Sequence, residues 1–98
     1  MRVPMIAGNW KMNTTVEEAV KLVRAMLSGL NEIKGIEKVV CPPFISLMPV
    51  KEVIRDSTIK LGAQNMFYED KGAYTGEVSP LMLAGICDYV IIGHSERR

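Results

Sequence analysis

The stretch YVIIGHSERR, residues 89–98, decides how the whole sequence is interpreted. Its first four residues are large and apolar and suit a buried strand, which a glycine then ends. The residues that follow bring an imidazole, a hydroxyl, a carboxylate and two guanidinium groups together. In α/β enzymes, polar residues directly after a strand build a site at the carboxyl edge of a parallel sheet. The stretch therefore predicts such a site, with His94 in it.

Three strand–helix units precede this stretch. Short apolar runs predict the strands, and apolar residues at three- and four-residue spacing predict the first helix. We expect the first strand to be buried on both faces and the Ser46 hydroxyl to cap the second helix. Gly29 near the end of the first helix, followed by Asn31 and Gly35, is expected to stop that helix and turn the chain. The predicted strands are at about 3–9, 39–41, 59–63 and 89–92, and the predicted helices at about 15–30, 47–55 and 81–84.

Alternation of strands with helical crossovers indicates four parallel strands with three connecting helices. The 98 residues are enough for a single domain, spanning residues 1–98. Hydrophobic residues make up 48% and charged residues 23% of the chain, which is typical of a globular protein. The net charge of +1 argues against a nucleic-acid partner or an anionic membrane surface.

The amino terminus and the cysteines indicate the compartment and the absence of metal chemistry. The first apolar run is too short for a signal peptide, and no run reaches the length of a membrane span, so we expect a cytoplasmic protein. Cys41 and Cys87 lie in apolar stretches and are expected to be buried free thiols. Two cysteines and one histidine at long spacing predict no metal site. No glycine-rich phosphate loop of a nucleotide-binding protein is present.

Polar residues follow three of the four predicted strands. Asn9 and Lys11 follow the first strand, an amide pair at 64–65 follows the third, and His94 follows the fourth. Because parallel strands end at one edge of the sheet, these groups are expected to converge, with Lys11 binding an anion and His94 exchanging a proton. Taken singly, Asn9 also fits a turn residue, Lys11 a solvated cation, and His94 a structural histidine. A surface ion pair with one of the last two arginines is the corresponding alternative for Glu96.

The stretch from Gln64 to Val78 has no periodicity and holds aromatic residues and glycines. A loop of this length in a compact domain is usually functional or contacts a partner. The alternative is a loop packed on its own domain, and composition alone leaves both open.

Four motifs together resemble the triosephosphate isomerase family: AGNWKMN at 7–13, GAQN at 62–65, GAYTGE at 72–77 and IGHSERR at 92–98. They occur in the family's order and near its spacing. The resemblance implies an eight-stranded βα barrel, of which this sequence holds the first half. It also implies interconversion of dihydroxyacetone phosphate and D-glyceraldehyde 3-phosphate in glycolysis and gluconeogenesis, with no cofactor.

The resemblance also implies roles for individual residues. Asn9 and Lys11 bind the substrate, and Lys11 favours its phosphate and the developing negative charge. His94 polarises the carbonyl as a neutral imidazole, which is the family's known mechanism rather than a consequence of this sequence. Ser95 and Glu96 support these groups, with Glu96 placed to pair with Lys11. The loop around Thr75 contacts a neighbouring subunit.

The resemblance places the family's glutamate base, its lid and its phosphate-gripping glycines after the fourth strand, beyond these 98 residues. We therefore expect the isolated chain to be inactive and its exposed inner face and strand edges to drive self-association or pairing with the missing half. A non-catalytic half-barrel that serves as an assembly module is the alternative. An unrelated small α/β binding domain is a third possibility.

Overall fold

The computed structural model describes residues 4–92, which form one parallel sheet with helices between its strands. The strands lie in the order β1-β2-β3-β4, so each strand pairs with its neighbour in sequence. The four parallel strands and three helices agree with the sequence prediction. The strands are β1 (Met5–Asn9), β2 (Glu37–Cys41), β3 (Lys60–Ala63) and β4 (Tyr89–Val90); the helices are α1 (Val16–Glu32), α2 (Leu47–Ile54) and α3 (Pro80–Ala84).

The core lies between one face of the sheet and the helices. Val23 of α1 and Val50 of α2 are fully buried, and Leu61 of β3 packs into the same cluster. On the opposite face, a Cβ at Gly62 would lie 2.7 Å from the Cys41 Sγ atom. The absence of a side chain at Gly62 therefore leaves room for the Cys41 side chain, which lies over the glycine on that face of the sheet.

The prediction of a strand buried on both faces was wrong for β1. The side chains of Met5 and Ile6 are 48% and 61% exposed, whereas Val39 and Val40 of β2 are buried. Within residues 4–92, β1 pairs with β2 alone and lies at the edge of the sheet. Its apolar sequence is that of a covered strand, but no described element covers it.

Helix α1 begins as predicted and ends later than predicted. The Thr15 hydroxyl accepts from the Glu18 N–H at 3.2 Å, and the Glu18 carboxylate accepts from the Thr15 N–H at 2.8 Å, which is a complete capping box. The helix continues past Gly29 and ends at Glu32, between the Asn31 and Gly35 that were expected with Gly29 to stop it. A glycine in a helix interior costs only about 1 kcal/mol, so the packing of α1 on the core outweighs it.

Ser46 precedes α2, but its hydroxyl does not cap the helix as predicted. A 3-10 turn (Phe44–Ser46) leads into α2, and Ser46 already has helical backbone angles, φ −98° and ψ −2°. Its side chain is fully buried instead, with no hydrogen-bond partner among the described residues. Ser79, by contrast, caps α3, because its hydroxyl accepts from the Met82 N–H at 3.2 Å.

Among the described residues, no helix is long and apolar enough to cross a membrane. The same residues contain no group of histidine, cysteine or carboxylate side chains arranged to hold a metal ion. Both cysteines are free thiols; Cys41 is buried, as predicted, and Cys87 is half-buried.

Candidate active site at the carboxyl edge of the sheet

The structure brings part of the predicted constellation together where the strands end. Asn9 is the last residue of β1, Lys11 lies in the loop that follows, and Gln64 comes directly after β3. His94, Ser95 and Glu96 were also predicted to lie at this edge, but they fall outside the described residues. Asn9, Lys11 and Gln64 therefore form the described part of the site.

The loop between β1 and α1 is shaped by short-range hydrogen bonds. The Asn9 Oδ1 atom accepts from the Lys11 backbone N–H at 2.9 Å, which is a turn closed by an asparagine side chain. The Asn13 side chain donates to the Trp10 carbonyl at 2.8 Å, and the Trp10 N–H donates to the Cys41 carbonyl at 3.2 Å. Among the described residues, the Asn9 oxygen therefore acts as that of a turn residue, which is one of the two roles considered for it. The amide group also has a nitrogen, which can donate to a ligand.

Lys11 has an unusual backbone conformation. Its φ of +54° lies in the left-handed region, which an unbranched side chain such as lysine enters at a cost of about 1–3 kcal/mol. The residue is exposed, so its ammonium group can meet a ligand at the edge of the sheet. Backbone strain of this kind is concentrated at functional sites, and the surrounding contacts must hold it.

Gln64 provides the contact that holds this loop. Its Nε2 atom donates to the Lys11 carbonyl at 2.7 Å and to the Cys41 carbonyl at 2.9 Å. One side-chain amide therefore ties the ends of β2 and β3 to the loop that carries Lys11. The sequence placed Gln64 at this edge but gave it no role, because a bond over 53 residues leaves no local pattern.

A cavity of about 180 Å³ adjoins Gln64 on the side of the long loop. Phe44 and Val78 contribute apolar wall, and Asn65 and Glu77 contribute polar groups. The cavity places an amide and a carboxylate beside the end of β3, within the same edge as Lys11. It can accept a polar group that projects from a ligand or from another chain.

The long loop contacts the core at its two ends, through Met66 and Val78, and residues 68–77 between them are exposed. The ring of Phe67 lies 4.6 Å from that of Tyr68 and 4.5 Å from that of Tyr74, measured between centroids. Thr75, the predicted subunit contact, is exposed beside Gly76, whose φ is +87°. The two alternatives for this loop are therefore compatible: its ends pack on the core, whereas its aromatic rings contact one another and its tip stays accessible.

Comparison with known proteins agrees with this geometry. Residues 4–98 match the family model described as triosephosphate isomerase. The triosephosphate isomerase of Dehalococcoides mccartyi strain CBDB1 is 66% identical over 98 residues, and that of Chloroflexus aurantiacus is 60% identical over 99 residues. Each match covers the whole of this chain and 39% or 40% of the relative.

A solved structure gives the same result. The crystal structure of triosephosphate isomerase from Bartonella henselae superposes with a TM-score of 0.90 and 41% sequence identity over 99% of this chain. The match covers 40% of that protein. The 98 residues thus span about two fifths of the length of the relatives that they match.

Proposed function

The chain belongs to the triosephosphate isomerase family, and from that premise we propose that it supplies the anion- and carbonyl-binding half of the family's active site. Its four parallel strands and three helices are the first half of the family's βα barrel, as the sequence predicted. Membership at this level of identity excludes the third possibility, an unrelated small binding domain. The 98 residues are proposed to act as one half-barrel unit.

The proposed reaction is the interconversion of dihydroxyacetone phosphate and D-glyceraldehyde 3-phosphate. Removing a proton beside a carbonyl produces an enediolate, whose negative charge must be stabilised. Lys11 provides a fixed positive charge for this purpose and for the phosphate, and Asn9 orients the loop that carries it. The observation that best supports this role is the Gln64 side chain, which holds Lys11 in a strained conformation at the carboxyl edge.

The residues after β4 complete this half of the site in the proposal. His94 donates a hydrogen bond to the carbonyl as a neutral imidazole and moves a proton between the two substrate oxygens. Ser95 and Glu96 support these groups, and Glu96 pairs with Lys11. No cofactor or metal takes part, since a positioned acid, a base and a fixed charge are sufficient for this proton transfer.

A general base for the carbon-bound proton is the part that these 98 residues do not provide. We assign no carboxylate of this chain to that task, because Glu96 is proposed to pair with Lys11. The match covers 39% of the relative, and we propose that the base lies in the remainder. We therefore propose that the 98 residues alone do not turn over triose phosphates.

A hybrid enzyme tests the proposed function. The 98 residues would replace the matching segment of the Dehalococcoides mccartyi enzyme, which is 66% identical to them. We expect isomerase activity in the hybrid and none with the 98 residues alone. Lys11→Met and His94→Gln should each lower kcat/KM by roughly a hundredfold or more, the usual cost of losing one charge-stabilising donor.

Lys21→Met is the matched control, because Lys21 is exposed on α1 and lies outside the proposed site. It should leave the hybrid as active as the unaltered form. An active Lys11→Met hybrid, or turnover by the 98 residues alone, would contradict the assignment of Lys11 or of the missing base.

We propose in addition that the chain associates, either with a second copy or with the complementary half of a barrel. The exposed apolar side chains of Met5 and Ile6 on the edge strand β1 support this, because such surface is rarely left in contact with water. Thr75, at the exposed tip of its loop, is the proposed subunit contact. Neither nucleic acid nor a membrane is proposed as a partner, and the proposed compartment is the cytoplasm.

Association without catalysis is the second candidate function, a half-barrel assembly module, and the same apolar edge favours it. Light scattering on the purified chain should give a mass of at least two chains, and Ile6→Lys should lower it. Leu22→Lys is the control, since Leu22 is also exposed but lies on α1, away from the edge strand. A single-chain mass for the unaltered protein would refute the proposed association.

A further inference from the structure

Strand β4 is the least secured strand of the sheet, although it leads directly to His94. It pairs with β3 over two residues, with Tyr89 opposite Gly62 and Val90 opposite Ala63. One more backbone bond follows, from the Ile91 N–H to the Ala63 carbonyl at 2.8 Å. Pairing this short specifies the register of a strand only weakly, and a slip by one residue would turn every side chain to the other face.

Asp88, immediately before β4, makes further bonds that hold β4 in this register. Its backbone N–H donates to the Leu61 carbonyl at 2.7 Å, and its Oδ2 atom accepts from the Leu61 N–H at 3.0 Å. Asp88 thus hydrogen-bonds both the N–H and the carbonyl of Leu61. A strand that slipped by one residue would keep the backbone bond or the side-chain bond, but the two together fit one register only.

Lys51 holds the same segment from the helix side. Its Nζ atom donates to the carbonyls of Gly85 and Ile86, at 3.2 and 2.9 Å. These are the first carbonyls after α3, which have no partner within the helix. The turn into β4 is therefore held by α2 on one side and by β3 on the other.

Strand β3 and the residue after it contact both parts of the proposed site, the segment before β4 and the loop that carries Lys11. Leu61, which Asp88 binds, lies three residues before Gln64, which binds the Lys11 loop. The register of β4 against β3 therefore sets where the chain leaves the sheet after Val90, relative to the Lys11 loop. We propose that Asp88 is a positioning residue, which fixes this register and thereby places His94 relative to Lys11.

This inference rests on the proposed function for its catalytic part, whereas its structural part stands alone. Asp88→Ala removes the acceptor of the Leu61 N–H, and Asp88→Asn keeps an oxygen in the same place. Amide hydrogen exchange of the 98-residue chain should show the Leu61 protection factor about tenfold lower in Asp88→Ala than in Asp88→Asn, because only the asparagine variant keeps an oxygen that can accept from the Leu61 N–H. Asp56→Ala, at an exposed aspartate after α2, should leave it unchanged.

The catalytic part is measured in the hybrid enzyme. Asp88→Ala should lower kcat roughly 10- to 100-fold with KM nearly unchanged, since Lys11 still binds the anion while a displaced His94 misses the carbonyl. Asp88→Asn should restore most of kcat. A residue with a merely stabilising role would instead lower the unfolding temperature without altering kcat at 25 °C.

The possible outcomes separate the inference from its premise. Unchanged protection of Leu61 in Asp88→Ala overturns the register assignment, whatever the hybrid does. Lost protection with unchanged kcat overturns the positioning role. An inactive unaltered hybrid overturns the proposed function and the catalytic part with it, while amide exchange still decides the structural part.

Discussion

The two ends of the sheet use polar side chains in different ways. At the amino end, Lys38, Lys51 and Asp88 bind backbone groups that helices and strands leave without partners. At the carboxyl end, Asn9 and Gln64 hold a loop in a conformation that it would not adopt alone. These three groups at the amino end complete the secondary structure, whereas Asn9 and Gln64 maintain backbone strain at the edge where the proposed site lies.

Lys38 shows the stabilising use most clearly. It is only 6% exposed, and its Nζ atom donates to the carbonyls of Leu30 and Ile33 at 2.6 and 2.9 Å and to the Thr58 hydroxyl at 3.0 Å. All three protons of the ammonium group are used, and two of them cap the end of α1. The positive charge also lies at the negative end of the helix dipole.

The largest expected effect comes from removing this cap. Lys38→Met should lower the free energy of unfolding by about 2–3 kcal/mol, because it leaves buried acceptors without donors. Urea titration followed by circular dichroism, at fixed chain concentration, measures the difference. Lys34→Met is the control, as Lys34 is exposed and lies four residues away. Equal stability of the two variants would show that the amino end does not depend on Lys38.

The next effect concerns the cap at the other end of the same helix. Thr15→Ala should cost about 1 kcal/mol, since the hydroxyl that accepts from the Glu18 N–H is lost. Thr15→Ser keeps the hydroxyl and should retain most of the stability. If Thr15→Ala cost as much as Lys38→Met in the same titration, the contrast between the two ends would be weaker than we infer.

A smaller effect of opposite sign is expected at Lys11. Lys11→Gly should stabilise the chain by about 0.5 kcal/mol, because a glycine adopts φ of +54° without strain, partly offset by its greater freedom when unfolded. Lys11→Ala keeps the Cβ atom and should bring no such gain. Both variants should be inactive in the hybrid enzyme. A loss of stability in Lys11→Gly would mean that the loop holds no strain.

The last expected effect is a pH dependence at the amino end, which appears only above pH 9. Burial, with the nearby Asp88 carboxylate, raises the pKa of the Cys87 thiol from 9.0 to about 11. Between pH 9 and 11 the thiol loses its proton in the unfolded chain but keeps it in the folded chain. The stability that the raised pKa contributes is therefore fully present below pH 9 and is lost as the pH rises toward 11. Urea titrations at several pH values should show a flatter decline in Cys87→Ala. Parallel pH curves for the two proteins would contradict the raised pKa.

The order of the elements could be predicted from the sequence because the signals are local. The hydroxyls of Thr15 and Ser79 and the proline at position 80 specify helix starts within a few residues. Helix α1 runs two residues further than predicted, to Glu32, because the packing of the whole helix on the core outweighs the cost of Gly29. The sequence alone does not show how strong that packing is. Ser46 misled because the 3-10 turn before α2 had already given it helical angles.

The features that sequence could not provide are those that depend on distant contacts. The pattern of β1 is that of a buried strand, but burial depends on what lies against it. The lysine at 38 gives no sign in the sequence that it is buried, and Gln64 gives no sign that it reaches Lys11. The site was predicted in outline from residues after strands, whereas the bonds that hold Lys11 needed three-dimensional coordinates.

Gly62 has a consequence for how related chains vary. The space that a side chain at position 62 would need is already filled by the Cys41 Sγ atom and, at 3.2 Å, by the Val39 Cγ1 atom. The side chains at positions 41 and 62, on neighbouring strands, therefore compete for the same space. Relatives with a larger residue at 62 should carry a smaller one at 41, so that the two positions exchange size through substitution while the spacing of β2 and β3 stays constant.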